Sequence, residues 1–333
     1  MKALITGGNG FIGANFIIQN QHKFEQIVNL DNLSYAANLD LQSFLLKDCS
    51  YTFIKGSITD EDLVASIFEK FQFDCVINFA AESHVDRSIV SADLFVETNI
   101  VGVFILAKCA LGFYEKSKNP KFRFLQVSTD EVYGALDGYE PASTELSALL
   151  PNNPYSATKA SAEMLLRSFN RTFDLPTLTV NCSNNYGPLQ NSEKFIPTLI
   201  KSALNDKPLP IYGSGLQIRD WLFVNDNCSA IMCVLENGAP GEKYNVGGTD
   251  QVTNIEITNR LCALLDEYKP KNIGTYADQI LFVADRLGHD FRYDVDFAKI
   301  KFKLGWFPAT SLDDGLRATI SWYINAHQNQ YSR

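Results

Sequence analysis

The amino terminus constrains the fold more than any other part of this chain. The apolar run Lys2-Ala3-Leu4-Ile5-Thr6 ends in Gly7-Gly8-Asn9-Gly10-Phe11-Ile12-Gly13 and passes directly into Ala14-Asn15-Phe16-Ile17-Ile18. Strand, glycine turn and helix in that order open a dinucleotide-binding βαβ unit. The glycines let the backbone approach a pyrophosphate, and the helix start offers free N–H groups and its positive dipole end. The spacing satisfies both G-x-G-x-x-G (Gly8, Gly10, Gly13) and G-x-x-G-x-x-G (Gly7, Gly10, Gly13). A glycine pattern alone is weak, but this one sits in the strand-to-helix context that gives it meaning. A second strand, Gln26 to Leu30, ends at Asp31, whose carboxylate would accept from ribose hydroxyls and repel a 2′-phosphate. NAD is therefore favoured over NADP.

Short β-like runs continue along the chain at Tyr51–Ile54, Cys75–Phe79, Phe122–Val127 and Thr177–Asn181, separated by stretches that read as helices. That alternation predicts an α/β fold with a doubly wound parallel sheet of the Rossmann type. Ligands on such sheets bind beyond the carboxyl ends of the strands. The loop 137–154 is polar and turn-rich, and reads either as a cover over the site or as a plain surface connection. After about Asn185 the pattern loosens: Tyr186-Gly187-Pro188 breaks the alternation, Phe195 to Asn205 reads as a helix and Pro208 to Gly213 as a short strand between turns. Asp226 to Glu236 and Tyr244 to Val246 read as a return to the sheet. The predicted organisation is a nucleotide-binding unit over 1–185, with returning segments at about 220–250, and a smaller, discontinuous carboxyl-terminal substrate unit mainly over 186–333.

Two motifs carry chemistry. Ser128-Thr129-Asp130-Glu131-Val132-Tyr133-Gly134 places adjacent carboxylic acids at the end of a strand, and Tyr155-Ser156-Ala157-Thr158-Lys159 puts a phenol and an ammonium on one helix face. An ammonium beside a phenol favours the phenolate, so Tyr155 is expected to have a lowered pKa and to act as a base near neutral pH. Adjacent carboxyls can push their pKa values apart, leaving one acid and one base. Four proton-moving groups so close in sequence suggest an oxidation combined with an elimination.

Length and composition bound the rest. A chain of 333 residues suggests about two domains or one enlarged one, and 46% hydrophobic residues can build a sizeable core. The net charge of −9 argues against an extended nucleic-acid or anionic-membrane surface, while leaving room for a local basic pocket. No run of about eighteen apolar residues is evident, and the amino-terminal apolar segment is too short for a signal peptide, so a cytoplasmic location without membrane attachment is expected. The seven cysteines form no C-x-x-C pair and read as reduced core thiols. Four histidines without ligand spacing imply no metal.

The set GGNGFIG, AAESHVDRS (80–88), STDEVYG, PYSATKA, NCSNNYGP (181–188), PIYG, IRDW and ADRLGHD (284–290) resembles the dTDP-glucose 4,6-dehydratases, a branch of the extended short-chain dehydrogenase/reductase group. The resemblance runs from Met1 to about Tyr323. The glycine turn and Y-x-x-x-K mark the superfamily, the Thr-Asp-Glu trio the dehydratase branch, and the carboxyl-terminal motifs the dTDP-sugars. It implies a dTDP-glucose substrate with the following chemistry. Tyr155 takes the proton of the glucose 4-hydroxyl as C4 passes its hydride to NAD, Lys159 holds the ribose, and Thr129 hydrogen-bonds the 4-oxygen. Glu131 then removes the C5 proton while protonated Asp130 expels the 6-hydroxyl as water, the hydride returns to C6 and C5 is reprotonated. The product is dTDP-4-keto-6-deoxyglucose, a precursor of rhamnose and other 6-deoxysugars.

By the same resemblance, Gly7, Gly10, Phe11, Ile12 and Gly13 are expected at the pyrophosphate, Asp31, Asn32, Leu33 and Ser34 at the ribose, and Ser57 and Ile58 at the adenine. Phe79, Ala80, Ala81, Ser83, Thr98 and Asn185 are expected on the cofactor, toward the nicotinamide. Asn184, Glu193, Lys194, Phe195, Ile196, Pro210, Ile211, Tyr212, Arg219, Asn254, Asp285, Arg286 and His289 match the substrate segments, the two arginines suiting a diphosphate by charge and fork geometry. Ser83, His84 and Arg87 are open between touching the sugar and bracing the site. A homodimer is implied, pairing helices at 93–114 and 157–173, although their apolar residues could instead pack inside the monomer. Two positions depart from the family pattern: Ser57 replaces an aspartate that accepts from the adenine amino group, and Leu287 replaces a proline. The alternatives are a UDP-hexose 4-epimerase or a UDP-glucuronate decarboxylase-like enzyme, neither of which needs the acid at Asp130. A catalytically silent NAD-binding regulator is a further reading, against which the intact trio and Tyr-Lys pair stand.

Overall fold

All but the edge strand of the main sheet are buried along nearly their whole length, polar residues such as Asn29, Asn78, Gln126 and Asn181 included, because both faces are covered. In the computed structural model, which describes residues 1–47, 49–285 and 288–331, with the side chains from 327 on outside the description, seven strands run parallel: β1 (Lys2–Thr6), β2 (Gln26–Asp31), β3 (Tyr51–Lys55), β4 (Cys75–Asn78), β5 (Arg123–Thr129), β6 (Thr177–Cys182) and β10 (Lys243–Val246). Their order is β10-β6-β5-β4-β1-β2-β3, so direction reverses beside β1 and a crevice opens at the carboxyl ends of β1 and β4.

Successive residues on each strand serve opposite layers, as the pleat requires. Ile5, Ile77, Leu125 and Val180 pack with α1 (Phe11–Asn20) and α8 (Val224–Asn237). Leu4, Val28, Val76 and Phe124 pack with α2 (Glu61–Lys70), α5 (Val103–Ser117) and α6 (Pro154–Phe173). The short helices α3 (Val85–Val90) and α4 (Asp93–Val96) lead into α5, with a π-helical stretch, Glu97–Gly102, joining α4 to α5. Asp93–Ser117 is therefore one continuous helix, long and apolar enough by length and composition to cross a membrane. It holds no uninterrupted run of eighteen apolar residues, since Thr98, Asn99 and Lys108 break it. Phe95, Leu106, Ala110 and Phe113 on it are buried under the sheet, while Leu94, Val101 and Phe104 are exposed.

Beyond β6 the chain builds a second core. β7 (Asn184–Tyr186) pairs parallel with β9 (Ile218–Phe223), which pairs antiparallel with β11 (Gln251–Thr253). β8 (Leu209–Tyr212) pairs parallel with β12 (Ile280–Val283). Against these pack α7 (Phe195–Leu204), α9 (Asn254–Tyr268) and α11 (Leu312–Tyr331), burying Tyr186, Leu199, Leu261 and Leu316, while α10 (Ala298–Leu304) returns to the main sheet through Ile300. The expected return of the chain at 226–246 is found as α8 and β10. The segment 184–186, expected only as a break, is a strand, because Asn184, Asn185 and Tyr186 hydrogen-bond along Trp221, Leu222 and Phe223. All seven cysteines are free thiols, with Cys75, Cys182, Cys228 and Cys262 buried.

Leu125 is 0% exposed in the central strand and Leu146 is 96% exposed in the loop after it. Leu125→Ala is expected to cost about 2–5 kcal/mol of unfolding free energy in a urea melt, and Leu146→Ala to stay within about 0.5 kcal/mol.

Candidate active site

The carboxyl ends of the parallel strands open into a cleft of about 590 Å³ that reaches across to the second core. Its floor at β1 is shaped by glycine. Gly7 has φ +69°, and a Cβ there would lie 2.5 Å from the Ala80 nitrogen; a Cβ at Gly13 would lie 2.4 Å from the Gly7 carbonyl oxygen. No side chain caps the start of α1, so its first N–H groups, at Phe11, Ile12 and Gly13, are left to a ligand. Asp31 ends β2, where it accepts from the Asn9 N–H at 2.9 Å and the Leu33 N–H at 2.8 Å. Burial raises its pKa and the two backbone donors oppose that. This uncapped glycine cradle with a ribose-facing carboxylate fits a dinucleotide.

Gly7, Gly10, Phe11, Ile12, Gly13, Asp31, Asn32, Ser34, Ser57, Ile58, Phe79, Ala80, Ala81, Ser83, Thr98 and Asn185 all line the cleft as expected. Leu33 does not: it supplies the N–H to Asp31 and takes φ +56° to close the turn. Ser57 turns inward on its own segment, its hydroxyl 2.8 Å from that of Thr59.

Thr129, Asp130 and Glu131 lie where β5 ends. Thr129 caps the following turn by accepting from the Glu131 N–H, and its hydroxyl donates to Asp130 Oδ1 at 3.1 Å. Asp130 is 3% exposed and its Oδ2 has no hydrogen-bond partner among the described residues. Burial, then the charges of Glu131 and Asp220, push its carboxyl pKa well above the usual range. Glu131 is only partly buried and accepts from Asn153 Nδ2. Burial thus favours the neutral form of the deeper carboxyl, Asp130.

The Tyr155 helix begins where Asn153 and Ser156 form a capping box around Pro154 at the first helical position. That fixes Tyr155 and Lys159 one turn apart, both buried and both on the cleft. One expectation is corrected. Tyr155 has its pKa raised, by burial first and by the charge of Glu131 next, with a hydrogen bond from Thr129 only partly opposing them. The Lys159 ammonium donates to the Val127 carbonyl at 2.7 Å and is not among the groups that set the tyrosine's pKa. Its own pKa is pushed down by burial to about 8.

On the far wall Asn184, Glu193, Lys194, Phe195, Ile196, Pro210, Tyr212, Arg219, Asn254 and His289 line the cleft, joined by His84. Asn184 Oδ1 is buried without a partner among the described residues. Arg219 spends Nη1 and Nη2 on the carbonyls of Ile218, Phe291 and Asp290 and stacks over Tyr293, so its fork is not wholly turned to a ligand. Ile211 is fully buried in the second core rather than on the cleft. Asp285 is off the cleft and braces His289 through a 2.6 Å contact. Arg87 stands outside the lining, its guanidinium 3.6 Å from the Tyr35 ring and 3.6 Å from Glu193. Arg286 and Leu287 lie outside the described residues.

Several cleft residues escaped the sequence reading: Gln190, Asn191, Trp221 and Tyr293 line it, and Tyr35 reaches across to donate to Glu193 at 2.8 Å. Trp221 stood inside the quoted I-R-D-W motif. Tyr35 gave no signal, since its partner is 158 residues away.

The family profile described as GDP-mannose 4,6 dehydratase matches residues 4–319. The dTDP-glucose 4,6-dehydratase of Xanthomonas campestris pv. campestris is 47% identical over 96% of this chain and 92% of its own length. That of Streptomyces venezuelae, solved with NAD and TYD bound, is 39% identical and superposes with a TM-score of 0.89 over 98% of each chain. The UDP-glucose 4-epimerase of Thermotoga maritima, solved with UDP-glucose, shares the fold at a TM-score of 0.86 over 98% of this chain and 100% of that one, at only 26% identity. The chain therefore belongs to the nucleotide-sugar 4,6-dehydratases, in the dTDP-glucose 4,6-dehydratase family.

Proposed function

We propose that the protein is an NAD-dependent dTDP-glucose 4,6-dehydratase, a lyase converting dTDP-glucose to dTDP-4-keto-6-deoxyglucose and water for rhamnose or another 6-deoxysugar. The observation that carries this reading is Asp130, a buried carboxyl whose pKa is raised by that burial and which has one oxygen unpartnered among the described residues, beside the more exposed Glu131 on the same cleft as Tyr155 and Lys159. An epimerase has no hydroxyl to expel and no use for such an acid. The epimerase and decarboxylase alternatives are not favoured, since the dehydratase relatives are much the more similar in sequence.

Bound NAD would supply the acceptor and later donor of the C4 hydride, and its positive ring would oppose the burial that keeps Tyr155 protonated. Tyr155 receives the proton of the sugar 4-hydroxyl, with Thr129 holding the 4-oxygen. Once C4 is a ketone the C5 proton is acidic, and Glu131 removes it while Asp130 protonates the departing 6-hydroxyl. Lys159 holds the cofactor ribose. The glycine turn, Asp31, Asn32, Ser34, Ser57, Ile58, Phe79 to Ala81, Ser83, Thr98 and Asn185 form the NAD side of the site, with Leu33 holding Asp31 through its backbone N–H. Asn184, Glu193 to Ile196, Pro210, Tyr212, Arg219, Asn254 and His289 form the sugar-nucleotide side, with the start of α7 offering N–H groups to phosphate. Ser83 and His84 complete the wall between them, and Arg87 braces it from outside through Tyr35 and Glu193. Arg286 belongs to the same substrate segment by sequence alone.

The same reading divides the chain into an NAD-binding unit, 1–185 with the returning segments, and a sugar-nucleotide unit mainly in 186–333. It also makes the protein a homodimer, through Leu94, Val101 and Phe104 of the long helix and Met164 and Phe173 of α6, all exposed and apolar. A cytoplasmic location accords with seven unpaired thiols.

Incubating the purified protein with dTDP-glucose and catalytic NAD should give a sugar nucleotide lighter by one water in the mass spectrum, with much less conversion of UDP-glucose. No mass change with either would contradict the reading. Tyr155→Phe should abolish substrate-dependent NAD reduction. Asp130→Asn should slow water loss by about 10²–10⁴-fold, the span of a lost general acid, while the first oxidation persists. Dehydration by Asp130→Asn at the wild-type rate would remove Asp130 from the acid role.

A further inference from the structure

Glu163 stands two turns beyond Tyr155 and one beyond Lys159, so the three share one face of α6. It is 6% exposed, and the chemistry above makes no use of it. Its Oε1 accepts from Ser128 Oγ and, at 2.6 Å, from Asn181 Nδ2. The same Asn181 amide donates to the Thr129 carbonyl at 3.1 Å. One carboxylate oxygen thus ties the tyrosine–lysine helix to the ends of β5 and β6, at the residues that lead into the Thr-Asp-Glu trio. A buried carboxylate is costly unless paired: burial raises the Glu163 pKa, and Lys243 of β10, 3.9 Å from Oε2, the Ser128 and Asn181 hydrogen bonds and Lys159 of its own helix oppose that rise.

We propose that Glu163 is a positioning residue for the reaction: it locks the helix bearing Tyr155 and Lys159 against the strand ends bearing Thr129, Asp130 and Glu131, and its charge holds the Lys159 ammonium in its cationic form. The inference rests on the dehydratase reading above. The other groups packed around the pair are few. Cys182 of β6 lies beside Lys159, with its thiol pushed by burial to about 12 and hence neutral at working pH. Tyr133 lies under Lys243 with its pKa raised, and Glu145 acts on Lys243 from the loop after β5. With Lys159 near pH 8 already, loss of a neighbouring anion would let its proton go at lower pH.

Glu163→Gln keeps the shape and the accepting oxygen and removes only the charge. In dTDP-glucose turnover across pH 6–10 it should move the alkaline limb down by about one unit and lower kcat at pH 8 on the order of tenfold, the equivalent of one pKa unit. KM should stay within about twofold. Glu163→Asp keeps the charge but cannot span the same contacts, so it should leave the limb in place and lower kcat throughout. It carries the test alone if the glutamine variant does not fold, with a wild-type rate then contradicting the inference. A glutamine variant with the wild-type limb, whatever its rate, would also overturn the proposal. Failure of the wild-type protein to dehydrate dTDP-glucose would instead sink the functional reading, and the two results are distinct.

Discussion

The burial of Asp130 is the constraint on which the rest of the site depends. A carboxyl in water ionises near pH 4 and could not donate a proton to a departing hydroxyl at neutral pH. Here the end of β5 lies deep in the cleft, with anionic Glu131 next along the chain and Asp220 nearby on β9, and all three effects favour the neutral acid. The fold makes that possible because β5 is a central strand flanked by β4 and β6, so the residues leaving it begin under cover. Glu131 follows on the same turn but is less buried and accepts from Asn153 Nδ2. Two adjacent residues of one chemical type thus sit in different surroundings, set first by depth and then by neighbouring charge.

A similar dependence on depth governs Tyr155 and Lys159. Their spacing puts them on one helix face, yet the phenol keeps its proton and the ammonium is drawn to the Val127 carbonyl. The helix itself is held from both ends of the problem: the Asn153–Ser156 capping box sets where it starts, and Glu163 anchors it to the strands two turns on. Cross-links at Ser128 and Asn181 reach the backbone of Thr129, so base, acid and proton relay are parts of one hydrogen-bonded frame. Such a frame leaves little freedom for one group to shift without the others.

Much of this was readable in the chain. The glycine turn and the run of short apolar strands specify a doubly wound sheet because each strand is buried on both faces and needs no polar alternation. The Thr-Asp-Glu and Tyr-Lys motifs specify the chemistry because those groups move protons. What sequence cannot carry is the consequence of long-range packing. The orientation of Lys159 depends on a carbonyl 32 residues away, and the role of Glu163 on two strands it meets only in the folded state. Leu33, Ile211 and Asp285 sit in segments of the right kind but face the wrong way, because in a turn or a strand neighbouring side chains point in different directions. The helix expected at 93–114 runs on to Ser117, with isolated polar residues that its packing tolerates.

The protonation state of Asp130 can be observed without turnover. In ¹³C NMR of protein labelled at aspartate carboxyl carbons, the Asp130 signal, assigned by its loss in Asp130→Asn, should keep the shift of a neutral carboxylic acid at pH 7 while the exposed aspartates titrate in the ordinary acidic range. An Asp130 signal that reports an ionised carboxylate at pH 7 and titrates with the surface aspartates would contradict the view that burial makes this residue the acid of the site.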